Sequence, residues 1–423
     1  MRSGDQLTNR IDWVVVGIYF VLVGLGWLNI FAVVYDPQQV DQSIFSLSLN
    51  SGRQLIWIGT SVVIIAVIML MDFRFYDSFA YLIYAAIILV LVSVLLFGSE
   101  IAGSKSWFTV GSFRIQPSEF AKFATALAVA KYVSINNKIF TAIKPQLTLF
   151  AFAVIPAILI ILQGDTGTAM VYSAFAIVFY REGFSPLLLG IGISVAVLFV
   201  LTLYIDQVYL IIAAVVTAFL LIGINSKKTK RIVLIVASTL SVIAVVVSVD
   251  LFMTHVLKPH QQNRVKALIN PDADPLGYGW NVTQSKIAIG SGGFWGKGFL
   301  EGTQTKFDFV PEQSTDFIFC TIGEEHGWLG SLLLIILFVG LLIRVTMIAE
   351  RQKSTFARVY GYSVAAILFF HFAVNIGMTI GLFPVIGIPL PFFSYGGSSL
   401  WAFTILLFIL IKLDAHRMQL LTR

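Results

Sequence analysis

A helix needs roughly twenty consecutive apolar residues to cross a bilayer, and this chain supplies such runs from end to end. On that ruler about twelve can be marked, near 11–35, 54–71, 79–98, 118–134, 146–163, 167–181, 186–204, 208–224, 231–252, 316–345, 358–381 and 397–413. The fourth and sixth are the weakest. The expected fold class is therefore an all-α polytopic membrane protein of about twelve transmembrane helices. Composition agrees, because 58% hydrophobic residues, 12% charged residues and a mean hydropathy of +0.89 lie far outside the soluble globular range. The first run follows Arg2 and Arg10, is too long for a signal-peptide core and lacks a small-residue cleavage site, so it reads as a retained span. The single cysteine, Cys320, lies in an apolar stretch and excludes an intramolecular disulfide and a zinc ligand set. A net charge of +6 is spread over short loops rather than gathered in a stripe, which argues against nucleic acid as a partner.

Sidedness follows from the basic residues. With both termini in the cytoplasm, the segments 131–144, 226–231, 344–358 and 412–423 lie inside and their lysines and arginines obey the positive-inside rule. Four polar stretches then share the outer face: 36–53, 99–116, the turn 163–167 and the long segment 253–315. A structureless connection of that length is usually a lid or a binding element. Its glycines allow close backbone approach, and Trp280, Trp295, Phe299, Phe307 and Phe309 favour folding onto the membrane face over a floppy linker.

Where that segment meets the next apolar run, residues 310–325 read VPEQSTDFIFCTIGEE, with Asp316 at the boundary. An ionisable residue at such depth defaults to a functional hypothesis. It also has a structural reading, in which a helix starts at Thr315, the hydroxyl caps it and Asp316 occupies the first turn. The helix terminus favours the ionised form and the apolar boundary disfavours it. Either way a partly desolvated carboxylate can accept a proton from a sugar hydroxyl. Glu324 and Glu325, about two turns further on, are expected to bond within the bundle.

Residues 107–122 read WFTVGSFRIQPSEFAK, where Pro117 opens a helix and Glu119 and Lys122 stand three apart on one face. They form either a plain intrahelical ion pair or a pair facing a cavity. Trp107 serves as an interfacial anchor or as a stacking platform for a sugar ring. Lys105 and Arg114 lie just before the helix. Two further interruptions, QGDTGT at 163–168 and NIGMTIGLFPVIGIPLPFFSYGGSS at 375–399, combine helix breakers with turn residues, and the second reads as an irregular segment lining a cavity.

These motifs, together with QSKIAIGSGG and WGKGFLEGTQTKFDF, resemble the SEDS proteins of bacterial shape, elongation, division and sporulation. Within that family, DPLGYGWNVTQSKIAIGSGG, the GTQ at 302–304 and PVIGIPLPF are more similar to the rod-shape branch than to the division branch. The resemblance spans most of the chain and implies one integral membrane domain over 1–423, with the loop 253–315 carrying part of the active site. It implies a peptidoglycan glycosyltransferase that polymerises lipid II, an undecaprenyl-diphosphate disaccharide-pentapeptide, on the outer face of the bacterial inner membrane. Asp316 matches the family's essential aspartate, Trp107 its tryptophan, and Glu119 with Lys122 its cavity pair. Gly164 stands where a proline commonly precedes the family's aspartate, here Asp165. Ser106 replaces a frequent arginine, a place Lys105 could fill. The family core has ten spans, so the extra pair falls among 186–252.

On this reading Asp316 deprotonates an acceptor 4-hydroxyl, which displaces the donor's diphosphate with inversion. Cations among Arg53, Arg114, Lys122, Arg264 and Lys286, or a divalent metal such as Mg or Mn, would stabilise the departing charge. Thr315, Asp165, Ser394 and Ser398 complete the expected substrate-binding set. A class B penicillin-binding protein transpeptidase and other elongation-machinery proteins are the implied partners. Two rivals stand beside the enzyme: a lipid II flippase, which broken helices and intramembrane charges fit equally well, and a non-catalytic scaffold.

Overall fold

The computed structural model describes residues 10–35, 43–101, 103–111, 113–136, 142–224, 229–251, 255, 262, 279–306 and 309–419. The chain divides into two compact units, 1–183 with 284–423, and 184–283. In the first unit α1 (Trp13–Val34), α2 (Asn50–Leu70), the short α3 (Phe73–Ser78) and α4 (Ala80–Phe97) lead into a small antiparallel sheet. Its strands β1 (Ser99–Ile101), β2 (Ser104–Val110) and β3 (Phe113–Ile115) run in the order β1-β2-β3. Then come α5 (Pro117–Ile135), α6 (Ile143–Leu162), α7 (Thr166–Met170), a 3-10 turn (Val171–Ala174) and α8 (Phe175–Arg181). The second unit holds α9 (Pro186–Tyr204), α10 (Gln207–Ile224) and α11 (Thr229–Leu251). Helix α12 (Trp280–Ser291) follows, and α13 (Ile318–Glu325), α14 (Gly327–Glu350), α15 (Thr355–Thr379) and α16 (Gly397–Ala415) complete the first unit.

Among the described residues nine helices are long and apolar enough to cross a membrane: α1, α2, α4, α6, α10, α11, α14, α15 and α16. Each coincides with one of the twelve runs. The remaining three runs are helical as well but fall outside that set. Run 118–134 is one helix, α5, but carries Glu119, Lys122 and Lys131. Run 186–204 is α9, opened by the Ser185 cap on Leu187 N and by Pro186. Run 167–181 is α7, the 3-10 turn and α8 in direct succession, with Met170, Val171, Ala174 and Phe175 at the junctions all in right-handed helical backbone. The 316–345 run divides, because α14 opens at Gly327, which holds a φ of +62 against the backbone of residues 293–296.

The core of the first unit is built on α5, α15 and α16. Helix α16 is enclosed almost all round, with Phe403, Leu407 and Leu410 fully buried. Tyr19 packs edge-on against Phe392 and Phe408 at 5.1 Å each, and its hydroxyl shares a 2.9 Å hydrogen bond with Thr404. Segment 253–315 is not structureless, since α12 lies within it; its residues 253–254, 256–261, 263–278 and 307–308 are outside the described set, including Arg264, Phe307 and most of the glycine-rich motif before Trp280.

Candidate active site

The irregular stretch between α15 and α16 organises everything near Asp316. Pro384, Pro389 and Pro391 remove amide donors and forbid helix, so the carbonyls of this stretch need outside partners. They find them. His371 Nδ1 lies 3.1 Å from Pro389 O, and Asn375 Nδ2 donates to Ile388 O at 2.8 Å. Ser394 Oγ accepts from Leu390 N at 2.9 Å and donates to Thr315 O at 2.6 Å. Tyr395 N donates to Ser314 O at 2.9 Å, and Asn375 Nδ2 also donates to Asp316 O at 2.9 Å. Three consecutive carbonyls, of Ser314, Thr315 and Asp316, are thus held by groups from 375–395.

The expected helix start at Thr315 is not what forms. Helix α13 begins at Ile318, its first turn carries no acid, and no side chain caps it. Residues 311–317 are a series of turns, in which Thr315 N and Phe317 N both donate to Glu312 O and Glu312 takes a φ of +53. The Thr315 hydroxyl bonds Glu312 instead of capping a helix, with 3.0 Å to Glu312 Oε2. The tertiary holds on Ser314–Asp316 override the local capping preference. Asp316 is half-buried, and a Cβ placed on Gly387 would lie 3.2 Å from its Oδ2, so the carboxylate is close to the PVIGIP backbone.

Other expected residues join through the same stretch. Gly396 N donates to Gln54 Oε1 at 3.2 Å, which brings in the start of α2. Ser398 Oγ accepts from Gln116 N at 3.1 Å and donates to Arg114 O at 3.3 Å, which brings in β3 and α5. Asp165 caps α7 through Thr168 N at 3.0 Å and accepts from Gln116 Nε2 at 2.8 Å and Ser118 Oγ at 3.3 Å. Gly167 allows the last close approach: a Cβ there would collide with Ile386 O. Lys105 N donates to Gln163 O at 2.8 Å, tying β2, and with it Trp107, to the 163–168 turn.

Glu119 and Lys122 are an ion pair of 2.8 Å with both side chains buried. Lys122 Nζ also lies 3.0 Å from His371 Nε2 and 4.5 Å from the centre of the Phe403 ring. The pair therefore reaches beyond its own helix. Trp107 is half-buried, while Arg53, Arg114 and Lys286 are exposed. Arg53 Nε donates to Leu47 O at 3.1 Å, and Lys105 Nζ to Leu96 O at 3.1 Å. Glu324 bonds to the 297–305 loop and not, as expected, within the bundle: it accepts from Lys297 Nζ at 2.6 Å and from the amides of Thr303, Gln304 and Thr305. Among the described residues no group of three or more His, Cys, Asp or Glu side chains is placed to hold a metal ion.

His371 and Asn375 were not among the expected residues. Their signal is present in the sequence, two polar side chains one helical turn apart in an apolar run.

A family model described as "Cell cycle protein", covering FtsW, RodA and SpoVE, matches residues 12–220 and 191–419. The chain is 34% identical over 394 residues to the peptidoglycan glycosyltransferase RodA of Treponema pallidum (strain Nichols), spanning 86% of this chain and 90% of that one. It is 33% identical over 369 residues to the peptidoglycan glycosyltransferase MrdB of Escherichia coli (strain K12), spanning 87% and 86%. Its fold is similar to a chain in a structure solved to describe the structural coordination of polymerization and crosslinking by a peptidoglycan synthase complex, with TM-score 0.71, 26% identity and coverage of 97% and 99%.

Proposed function

The chain belongs to the FtsW, RodA and SpoVE family, and from that premise we propose that this multi-pass membrane protein is a peptidoglycan glycosyltransferase of cell elongation. Its substrate is lipid II, and its site faces outward from the bacterial cytoplasmic membrane, with both termini inside. The observation that carries the reading is the placement of Asp316. Its main chain is held by residues 375–395; just beyond them Gly396 bonds Gln54, next to Arg53, and Ser398 bonds Arg114 O and Gln116 N, while Gln116 in turn bonds Asp165.

A sugar 4-hydroxyl is a weak nucleophile until its proton is removed as it attacks. Asp316 is the base: as the acceptor oxygen bonds to the donor's anomeric carbon, the proton passes to the carboxylate, the bond to the diphosphate breaks and configuration inverts. The leaving diphosphate takes the electron pair and needs positive charge near it. Lys122 is enclosed with Glu119 and His371, which leaves the exposed Arg53, Arg114 and Lys286 as the better candidates for that task. Trp107 supplies a face for a sugar ring, and Thr315, Ser394 and Ser398 hold the backbone that shapes the pocket. A class B penicillin-binding protein would cross-link the nascent strand.

Fluorescent lipid II given to the purified protein, with and without such a partner, tests the assignment. Wild type should make glycan strands, and Asp316→Asn should lose on the order of 10²–10⁴ in rate. Strands made by folded Asp316→Asn at the wild-type rate would remove Asp316 as the base. Lipid movement across sealed vesicles without polymer would make the protein a flippase.

A further inference from the structure

Asn375 lies one turn before the end of α15 and is fully buried. Its side-chain amide makes two hydrogen bonds, at 2.9 Å to Asp316 O and at 2.8 Å to Ile388 O. Both partners are main-chain carbonyls, which accept and never donate, so the NH₂ end must face them and the amide has one orientation. The two bonds join the segment carrying the carboxylate to the segment beside it. Ile388 directly follows Gly387, whose added Cβ would stand 3.2 Å from Asp316 Oδ2, and Gly387 itself holds a φ of +70.

We propose that Asn375 is a positioning residue for the glycosyl transfer: one side-chain amide sets the distance between the Asp316 carboxylate and the Gly387–Ile388 backbone, and so aims the base. The assignment rests on the reading of Asp316 as that base. Chemistry restricts what can replace it. Leucine matches the volume and leaves two buried carbonyls without donors. Aspartate keeps the shape and sets a carboxylate against both carbonyls. Neither removes a group that would touch substrate, so a lost rate would arise through Asp316.

The test measures kcat and KM for lipid II polymerisation by full-length Asn375→Leu and Asn375→Asp, each also combined with Asp316→Asn, beside melting temperatures in detergent. Misplacing a catalytic group by about 1 Å costs roughly 100-fold, so kcat should fall between about 10- and 100-fold while KM changes by less than about twofold. In the Asp316→Asn background the same substitutions should change the residual rate by less than about twofold, because there is no base left to aim. A merely structural role would lower the rate equally in both backgrounds, and that result, or an unchanged kcat in folded Asn375→Leu, overturns the proposal. If Asn375→Leu does not fold, Asn375→Ser, which keeps one donor in a smaller side chain, carries the same comparison with the same outcomes. Failure of the underlying reading looks different: Asp316→Asn alone would then polymerise at the wild-type rate.

Discussion

Lys122 meets a carboxylate, an imidazole and a phenyl ring inside a helical core, and each contact offsets part of the cost of holding an ammonium away from water. Removing one member of such a set is worse than removing two. Lys122→Met leaves Glu119 buried without its cation and should cost about 3–5 kcal/mol, whereas Glu119→Gln combined with Lys122→Met should cost less. Thermal unfolding in detergent measures both, and an equal or larger loss in the double variant would contradict the account. The Glu119–Lys122 spacing was legible in the sequence because i,i+3 neighbours on a helix meet by geometry alone. His371 was not, since it stands 249 positions away and only packing brings its ring to Lys122. Asn375 was invisible as a partner of Asp316 for the same reason, although its polarity within an apolar helix was readable.

Elements show the same division. Prolines at 384, 389 and 391 announced an irregular segment, and the chain between α15 and α16 is irregular there. Thr315 announced a helix cap that does not form, because the holds on Ser314–Asp316 come from residues about sixty to eighty positions away, a distance at which local preference says nothing. Glu324 is a third case: its position was readable, its partners were not. One carboxylate gathers Lys297 and the successive amides of Thr303, Gln304 and Thr305, and so closes the 297–305 loop over α13. Hydrogen bonds to a charged group contribute about 1.5–3 kcal/mol each, so Glu324→Gln, which weakens several together, should speed amide exchange at 303–305 by at least about tenfold. Hydrogen exchange read by mass spectrometry follows this directly. Unchanged protection would mean that other contacts hold the loop.

Across the whole molecule, the start of the first span is fastened to the end of the last. Asp12 accepts from Arg344 Nε at 3.0 Å and Arg351 Nη2 at 3.1 Å, and Arg351 also pairs with Asp414, whose Oδ1 accepts from Arg351 Nε at 2.9 Å. Burial alone would raise the Asp12 carboxyl; the Arg344 hydrogen bond, the Val15 amide and the charges of Arg344 and Arg351 outweigh it and leave it below the ordinary carboxylate range. A depressed carboxylate stabilises the fold above its unfolded pKa of about 3.9, and that contribution is lost as pH falls through the lower folded value. Asp12→Asn should therefore melt below wild type at pH 7, with the gap narrowing as both are acidified below about pH 4. A gap independent of pH would assign the difference to packing.

At Ser314, Thr315 and Asp316 the neighbouring segments grip main-chain oxygens, so the mounting of position 316 belongs to the backbone. On the proposed role of Asp316 as the base, replacing its side chain removes none of these three main-chain bonds, so a copy without the acid would keep this mounting and could occupy the place of a working one.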